Sequence, residues 1–184
     1  MINNKFETII VDQRFVLSRP KISSFKQANE MLECYNDPVM RDFITSSCLP
    51  VDIKGAYEMI RYYHDLFINK NGQMWFLEDS CVNNKFIGTF GFHMIDWNSK
   101  TAEISYEIHK NYRKQGLSSL CVKLVCKYAI NILGIQRIEA VSLIENVASV
   151  NFLLKNGFKQ EKILHKHQFI HGQLMDFALM TLDI

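Results

Sequence analysis

Three groups of residues in this chain have types and spacings suited to chemistry. The first is the basic pairs His109-Lys110 and Arg113-Lys114, followed at once by Gln115-Gly116-Leu117-Ser118. Positive charge beside a glycine at the start of a helix suits a phosphate group. The first backbone amides of a helix lack intrahelical partners, and the helix dipole favours an anion there. Gly116 lets the backbone approach a ligand closely or take positive φ. The second group is Glu103 and Glu107, four residues apart in an alternating stretch, so both carboxylates project from one face of a strand. The third is Asn146 with Ser149, a helix cap followed three residues later by a hydroxyl on the first turn. Two well-known phosphate sites are excluded: there is no Gly-x-x-x-x-Gly-Lys-Ser/Thr and no triplet of spaced glycines.

The elements that must position these groups can be read from periodicity. Ala102, Ile104, Tyr106 and Ile108 alternate with Glu103, Ser105 and Glu107, the pattern of a half-buried strand. Leu117, Leu120, Cys121, Leu124, Val125, Tyr128 and Ile132 recur at three- and four-residue steps, an amphipathic helix that Gly134 can stop. Arg137 to Leu143 is a further strand, so strand, helix and strand form a crossover that favours parallel pairing, with ligands beyond the carboxyl ends of the strands. Upstream, residues 14–19 predict a first strand closed by Pro20. Ser23 or Ser24 caps a helix with Phe25, Ala28, Met31 and Leu32 on its apolar face. Asp37-Pro38 restarts a short helix, and Asp52 caps another carrying Ala56, Ile60, Tyr63 and Phe67. Gln73 to Glu78 and Lys85 to Phe92 are strands around the polar turn 80–84, and with the strand after Asp96 to Lys100 they predict an antiparallel meander. Asn146 opens a last helix, with Val150, Leu153 and Leu154 inward, ending at Asn156-Gly157. A hairpin across His171-Gly172 closes the chain. The expectation is one α/β domain without linkers or repeats.

Composition agrees. A chain of 184 residues is one domain, and 48% hydrophobic with 22% charged residues describes an ordinary globular protein. A net charge of +2, mixed with acids outside the basic turn, argues against a nucleic-acid partner. Cys34, Cys48, Cys81, Cys121 and Cys126 form no Cys-x-x-Cys pair and read as buried thiols of a reducing compartment. Met1 to Lys5 lacks the apolar core of a signal peptide and no apolar run reaches spanning length, so the expected location is cytoplasmic, with no membrane partner. His165 and His167 alternate on one strand, but no acid or thiol at ligand spacing joins them, and no metal is expected.

Arg113-x-x-Gly116-x-Ser118 resembles the Arg/Gln-x-x-Gly-x-Gly/Ala pyrophosphate motif of the GNAT superfamily of acetyl-CoA-dependent N-acetyltransferases. Ala102-Glu103-Ile104-Ser105-Tyr106, with Asn146-x-x-Ser149 and Asn156-Gly157-Phe158, is similar to the branch that acetylates N-terminal amines of ribosomal proteins. Ser118 replaces the usual glycine or alanine, and Ser105 a glycine usual in that branch. The resemblance implies a single GNAT-like domain over 1–184, with a core of about 15–182. It implies a mixed, mostly antiparallel sheet flanked by helices, with a parallel strand pair at the cofactor cleft. It also implies acetyl-CoA as acetyl donor, its pyrophosphate near Arg113 and Lys114 and on the amides of Gln115, Gly116, Leu117 and Ser118. Backbone groups of Tyr106 and Ile108 would pair with the pantetheine arm, Asn146 would hold that arm from the other side, and Ser149 could hydrogen-bond the leaving sulfur. Phe43, Tyr62 and Tyr63 would contact the acceptor, with Glu107 near them.

Amide formation from a thioester needs an unprotonated amine, and an aliphatic ammonium has a pKa of about 10, so a base must help. Glu103 and Glu107 are the candidates, Glu103 preferred because it matches a glutamate common in the resembled branch; a water chain could do the same work. Both carboxylates could equally be outward residues of a half-exposed strand, and Asn146 and Ser149 a plain helix start. The implied function is acetyl transfer to a primary amine, a protein N-terminus or a small amine, by a monomer or homodimer. The alternative is a non-catalytic acyl-CoA sensor.

Overall fold

A computed structural model describes residues 6–44 and 49–183; Cys48 and Met1 to Lys5, which enter the readings above, lie outside them. Eight strands form one sheet in the order β1-β2-β3-β4-β5-β6-β8-β7. They are β1 (Ile9–Ile10), β2 (Phe15–Ser18), β3 (Gln73–Asp79), β4 (Lys85–Asp96), β5 (Thr101–Ile108), β6 (Arg137–Leu143), β7 (Lys159–Ile170) and β8 (Gln173–Asp183). The helices are α1 (Phe25–Tyr35), α2 (Pro38–Phe43), α3 (Ile53–Ile68), α4 (Leu117–Tyr128) and α5 (Val147–Lys155). All strand pairs are antiparallel except β5–β6. The mixed sheet, the meander and the parallel crossover are therefore as the sequence predicts.

Side-chain alternation sorts the core onto two faces. In β3, Trp75 and Leu77 join Ile87, Phe90 and Phe92 against α4, whereas Met74 and Phe76 join Phe86 against α1 and α3. Every residue of β3 is buried, so this strand reads as a continuous apolar run with polar ends. Helix starts follow local chemistry: the side chains of Ser24, Asp37, Asp52 and Asn146 each accept a first-turn amide. Beyond Tyr128 the α4 helix widens into a π turn over Ala129–Leu133 and stops at Gly134, which has φ +72°.

Several sequence expectations need correction. Phe25 is 65% exposed, because α1 turns Gln27, Ala28, Met31, Cys34 and Tyr35 inward instead. In α3 the buried position is Leu66; Phe67 is only half-buried and packs its ring against Phe6. Leu154 is exposed and Leu153 alone of the α5 stripe is buried. Cys34, Cys121 and Cys126 are buried, but Cys81 is exposed on a short 3-10 turn after β3. The alternation of His165 and His167 is broken where β7 slips against β8, with Lys166 at φ +49°. His165 Nδ1 lies 2.8 Å from Asp176 Oδ2, while the His167 ring packs against Phe177.

Two irregularities position the site. The β5–β6 ladder runs only through Thr101–Arg137, Ala102–Ile138 and Glu103–Glu139, after which the strands part. In β4, Phe92 pairs with Ile104 and Met94 with Glu103, so His93 is the extra residue of a bulge. Phe90 lies beneath this junction, fully buried, its ring stacked on Tyr106 at 6.4 Å between centroids. Phe90→Ala should therefore cost about 3–5 kcal/mol of stability, read as a lower urea midpoint at unchanged slope; a loss under 1 kcal/mol would show that the site does not rest on this ring.

Candidate active site

Where β5 and β6 part, a cleft of about 460 Å³ opens between Ile104–Ile108 on one side and Ala140–Leu143 on the other. Because β6 remains paired to β8 along its length, the gap leaves the β6-facing edge of β5 without a strand partner from Ile104 onward. Unpaired backbone groups along such an edge can take an extended ligand as they would another strand. Tyr106, Ile108, Asn146 and Ser149 all line this cleft, as do Arg113, Lys114 and Ser118 at its basic end.

The basic end begins at the first turn of α4. Gly116 takes φ +79° as N-cap, makes no side-chain cap bond, and has open space where a Cβ would stand. The early α4 amides thus face outward with no protein acceptor from a cap side chain. Leu117 contributes only backbone there, since its side chain is buried in the core, and Gln115 turns its side-chain amide onto the Asn111 carbonyl at 2.8 Å. The positive charge is distributed differently from the expectation. Arg113 is held by Asp37, with Nη2 2.5 Å from Oδ2, and its Nε donates to the Ile108 carbonyl at 3.1 Å. His109 is 5% exposed; its Nδ1 accepts the Asn111 amide, and burial pushes its pKa down, so it adds no charge at neutral pH. Lys110 and Lys114 remain as exposed cations.

The two carboxylates do share one face of β5, and their surroundings separate them. Glu107 accepts hydrogen bonds from Tyr35 Oη at 3.2 Å, Ser105 Oγ at 3.2 Å and Thr89 Oγ1. Burial pushes its pKa up, against the pull of those donors. Glu103 lies beside the bulge, with Oε1 3.3 Å from His93 Nε2. Across the cleft, Asn146 Oδ1 accepts the Ser149 amide at 3.1 Å, and Ser149 Oγ lies 2.9 Å from Tyr106 Oη. Tyr106 therefore brings a hydroxyl to Ser149 in addition to its backbone.

A second cavity of about 700 Å³ adjoins the first, and Glu103, Ser105, Glu107 and His93 line both. Phe43, Tyr62 and Tyr63 are in its wall, with Tyr35 from α1 and Phe177 from β8. Tyr63 is largely buried and also packs edge-on against Phe76, so it is partly a core residue. Glu103, Tyr106, Glu107, Ile108, Arg113, Lys114, Ser118, Asn146, Ser149, Phe43, Tyr62 and Tyr63 thus line the two adjoining cavities, whereas His109, Lys110, Gln115, Gly116 and Leu117 are not in their walls. His93, Asp37, Thr89 and Tyr35 were missed. A bulge and long-range side-chain partners leave no mark in periodicity; the one available sign was a histidine interrupting the apolar run of β4.

The chain matches the profile of the acetyltransferase (GNAT) domain family over residues 14–159. It is 32% identical over 152 residues to an uncharacterised N-acetyltransferase, YoaA, of Bacillus subtilis, covering 82% of this chain and 84% of that one. It is 27% identical over 157 residues to the uncharacterised N-acetyltransferase p20 of Bacillus licheniformis, covering 85% and 87%. Among solved structures it shares its fold with the ribosomal L7/L12 α-N-protein acetyltransferase RimL in complex with coenzyme A, at TM-score 0.85 and 18% identity, covering 97% and 98% of the two chains. It also shares it with the microcin C7 self-immunity acetyltransferase MccE in complex with acetyl-CoA and AMP, at TM-score 0.83 and 20% identity, covering 95% and 94%.

Two expectations follow from this geometry. Arg113→Ala leaves the buried Asp37 carboxylate without its cation and should cost about 1–3 kcal/mol even without ligand. Adding Asp37→Asn should recover part of that loss in thermal unfolding; no recovery would mean that the ion pair is not what Arg113 contributes to the fold. For Glu107, a folded pKa above the unfolded value means that the unfolded chain gives up its proton first as pH rises. Stability is thus fully present below the unfolded pKa and falls as pH climbs through the raised folded one. Glu107→Gln should flatten that fall, measured as the denaturant midpoint against pH from acid to neutral; an unchanged slope would place the pH dependence elsewhere.

Proposed function

This chain belongs to the GNAT family of acetyltransferases, and from that premise we propose that it moves an acetyl group from acetyl-CoA to a primary amine by direct attack in a ternary complex. The observation that carries the reading is the meeting of the two cavities at Glu103: one runs back to the basic helix start, the other opens between α2, α3 and the β7–β8 hairpin. Acetyl-CoA would supply an activated carbonyl and a thiol leaving group. Lys114 and the amides from Gln115 to Ser118 would bind its pyrophosphate, with Arg113 shaping that turn through Asp37. The free edge of β5 at Tyr106 and Ile108 and the side chain of Asn146 would hold the pantetheine arm.

Glu103 is the base in this scheme. It removes a proton from the ammonium, which otherwise holds the lone pair needed for attack. Glu107 suits that role less well, because its oxygens already accept from three side-chain hydroxyls. The paired hydroxyls of Ser149 and Tyr106 stand ready to donate towards a departing thiolate. Burial pushes the Tyr106 phenol well above its ordinary range, so it keeps its proton and remains a donor. A thiol near pKa 8.5 leaves readily, so these donors refine the step more than they enable it.

Glu103→Gln keeps the shape but cannot accept a proton. Acetyl-CoA binding by calorimetry should be unchanged, while acetylation of an amine panel, read as free thiol released, should fall by about 10²–10⁴-fold. The loss should shrink as pH approaches the amine's pKa, because solution then supplies free amine. Wild-type activity in this variant would remove Glu103 from the mechanism. Tight cofactor binding with no transfer to any amine would leave a sensor of acyl-CoA.

A further inference from the structure

The acceptor itself can be narrowed from the charge and polarity of its cavity, an inference that rests on the transferase reading above. The 700 Å³ cavity is large enough for a drug-sized body and not merely an amine head. Its walls are mostly apolar and aromatic, from Phe43, Met59, Tyr62, Ile170 and Phe177 among others. The acidic side chains lining it among the described residues are Glu58, Glu103 and Glu107; no lysine or arginine lines it there, and its one basic ring, His93, has Nε2 3.3 Å from Glu103 Oε1. The adjoining cleft is the reverse at its far end, where Arg113 and Lys114 lie. The channel is therefore polarised, with cations at the phosphate end and carboxylates at the other.

Such a cavity discriminates by what it leaves unpaired. An ammonium entering it meets Glu103 and aromatic faces, both of which attract a cation. A carboxylate or phosphate close to the amine would be desolvated against apolar walls with no lysine or arginine to pair it, His93 being already set against Glu103, and with a like charge nearby. We propose that the acceptor is a primary amine carried on an apolar or aromatic body, with no anionic group within the buried portion. A hydrophobic small amine and a peptide N-terminus with apolar, uncharged leading residues present this same chemistry. Nucleotide-bearing and α-carboxylate-bearing amines are excluded by it. Glu58 is the exposed member of the acidic set: it stands on α3 with Lys54 as ion-pair partner at 3.7 Å.

The test uses the full chain with acetyl-CoA and matched pairs of amines. One arm compares 2-phenylethylamine with phenylalanine, which differs by the carboxylate alone. The other compares N-terminal tetrapeptides with isoleucine or glutamate as second and third residues. The member of each pair that lacks the added carboxylate should have the higher kcat/KM, by tenfold or more, and Glu58→Lys should narrow the gap. The arm with the larger kcat/KM tells small amine from peptide. Melting shifts of the coenzyme A-loaded protein with each amine are read in parallel, so selection is scored even without turnover. Equal shifts and equal kcat/KM within pairs, or preference for the anionic members, would overturn the proposal. Selective shifts with no transfer to any amine would instead sink the transferase reading and leave the cavity a binding site of this class.

Discussion

The structure depends on a short ladder. β5 and β6 pair for three residues and no more, ending at Glu103–Glu139. Had the pairing continued, the sheet would be closed and the cleft filled by hydrogen bonds between the strands. Both strands are secured on their other sides, β5 by β4 and β6 by β8, so the parting is held open by neighbours and not by strain between the pair. The crossover helix α4 begins beside the open end of β5 and returns to the start of β6. Its amide-bearing first turn is thereby placed beside the gap inside the sheet where β5 lacks a strand partner. The open cleft, the exposed helix start beside it and the position of Glu103 at the ladder's end are consequences of a single unfinished pairing.

The β4 bulge complements it. An extra residue on β4 opposite Ile104 and Glu103 turns the strand locally and sets His93 against Glu103 where the two cavities join. The bulge re-aims a side chain and shifts the register by one residue, so that the ladder resumes at Met94–Glu103. The larger cavity is then walled by elements distant in sequence: Tyr35 from α1, Phe43 from α2, Tyr62 from α3 and Phe177 from β8.

Much of this was legible in sequence because it is local. The alternation from Ala102 to Ile108, the stripe of Leu117, Cys121, Val125 and Tyr128 (though not its expected members Leu120 and Ile132, which are exposed) and the caps at Ser24, Asp37, Asp52 and Asn146 are each set by neighbours within a few residues. The same-face placement of Glu103 and Glu107 follows from the two-residue period of a strand. What was not legible is set by partners far along the chain. Arg113 reads as a free phosphate ligand until Asp37, 76 residues earlier, is folded against it. Phe25 and Leu154 fit an apolar stripe, but no element covers them. Cys81 looks like the other thiols in composition and differs only in lying on a surface turn.

The division of labour between the carboxylates has the same origin. Glu103 and Glu107 have identical chemistry and project from one face of one strand, so nothing intrinsic separates them. Glu107 sits deeper, over Thr89 of β4 and under Tyr35 of α1, and these donors occupy its oxygens. Burial raises its pKa while the hydroxyls oppose the rise, a balance that makes it a fixed polar anchor between helix and sheet. Glu103 stands at the end of the parallel ladder, four residues before Glu107, where the bulge sets an imidazole beside it and both cavities reach it, the setting the proposed base needs. A carboxylate with three internal donors has little left to offer a substrate; one at the mouth of a channel has its lone pairs to spend on a proton. Two equivalent groups are thus driven to different tasks by what the fold packs around each.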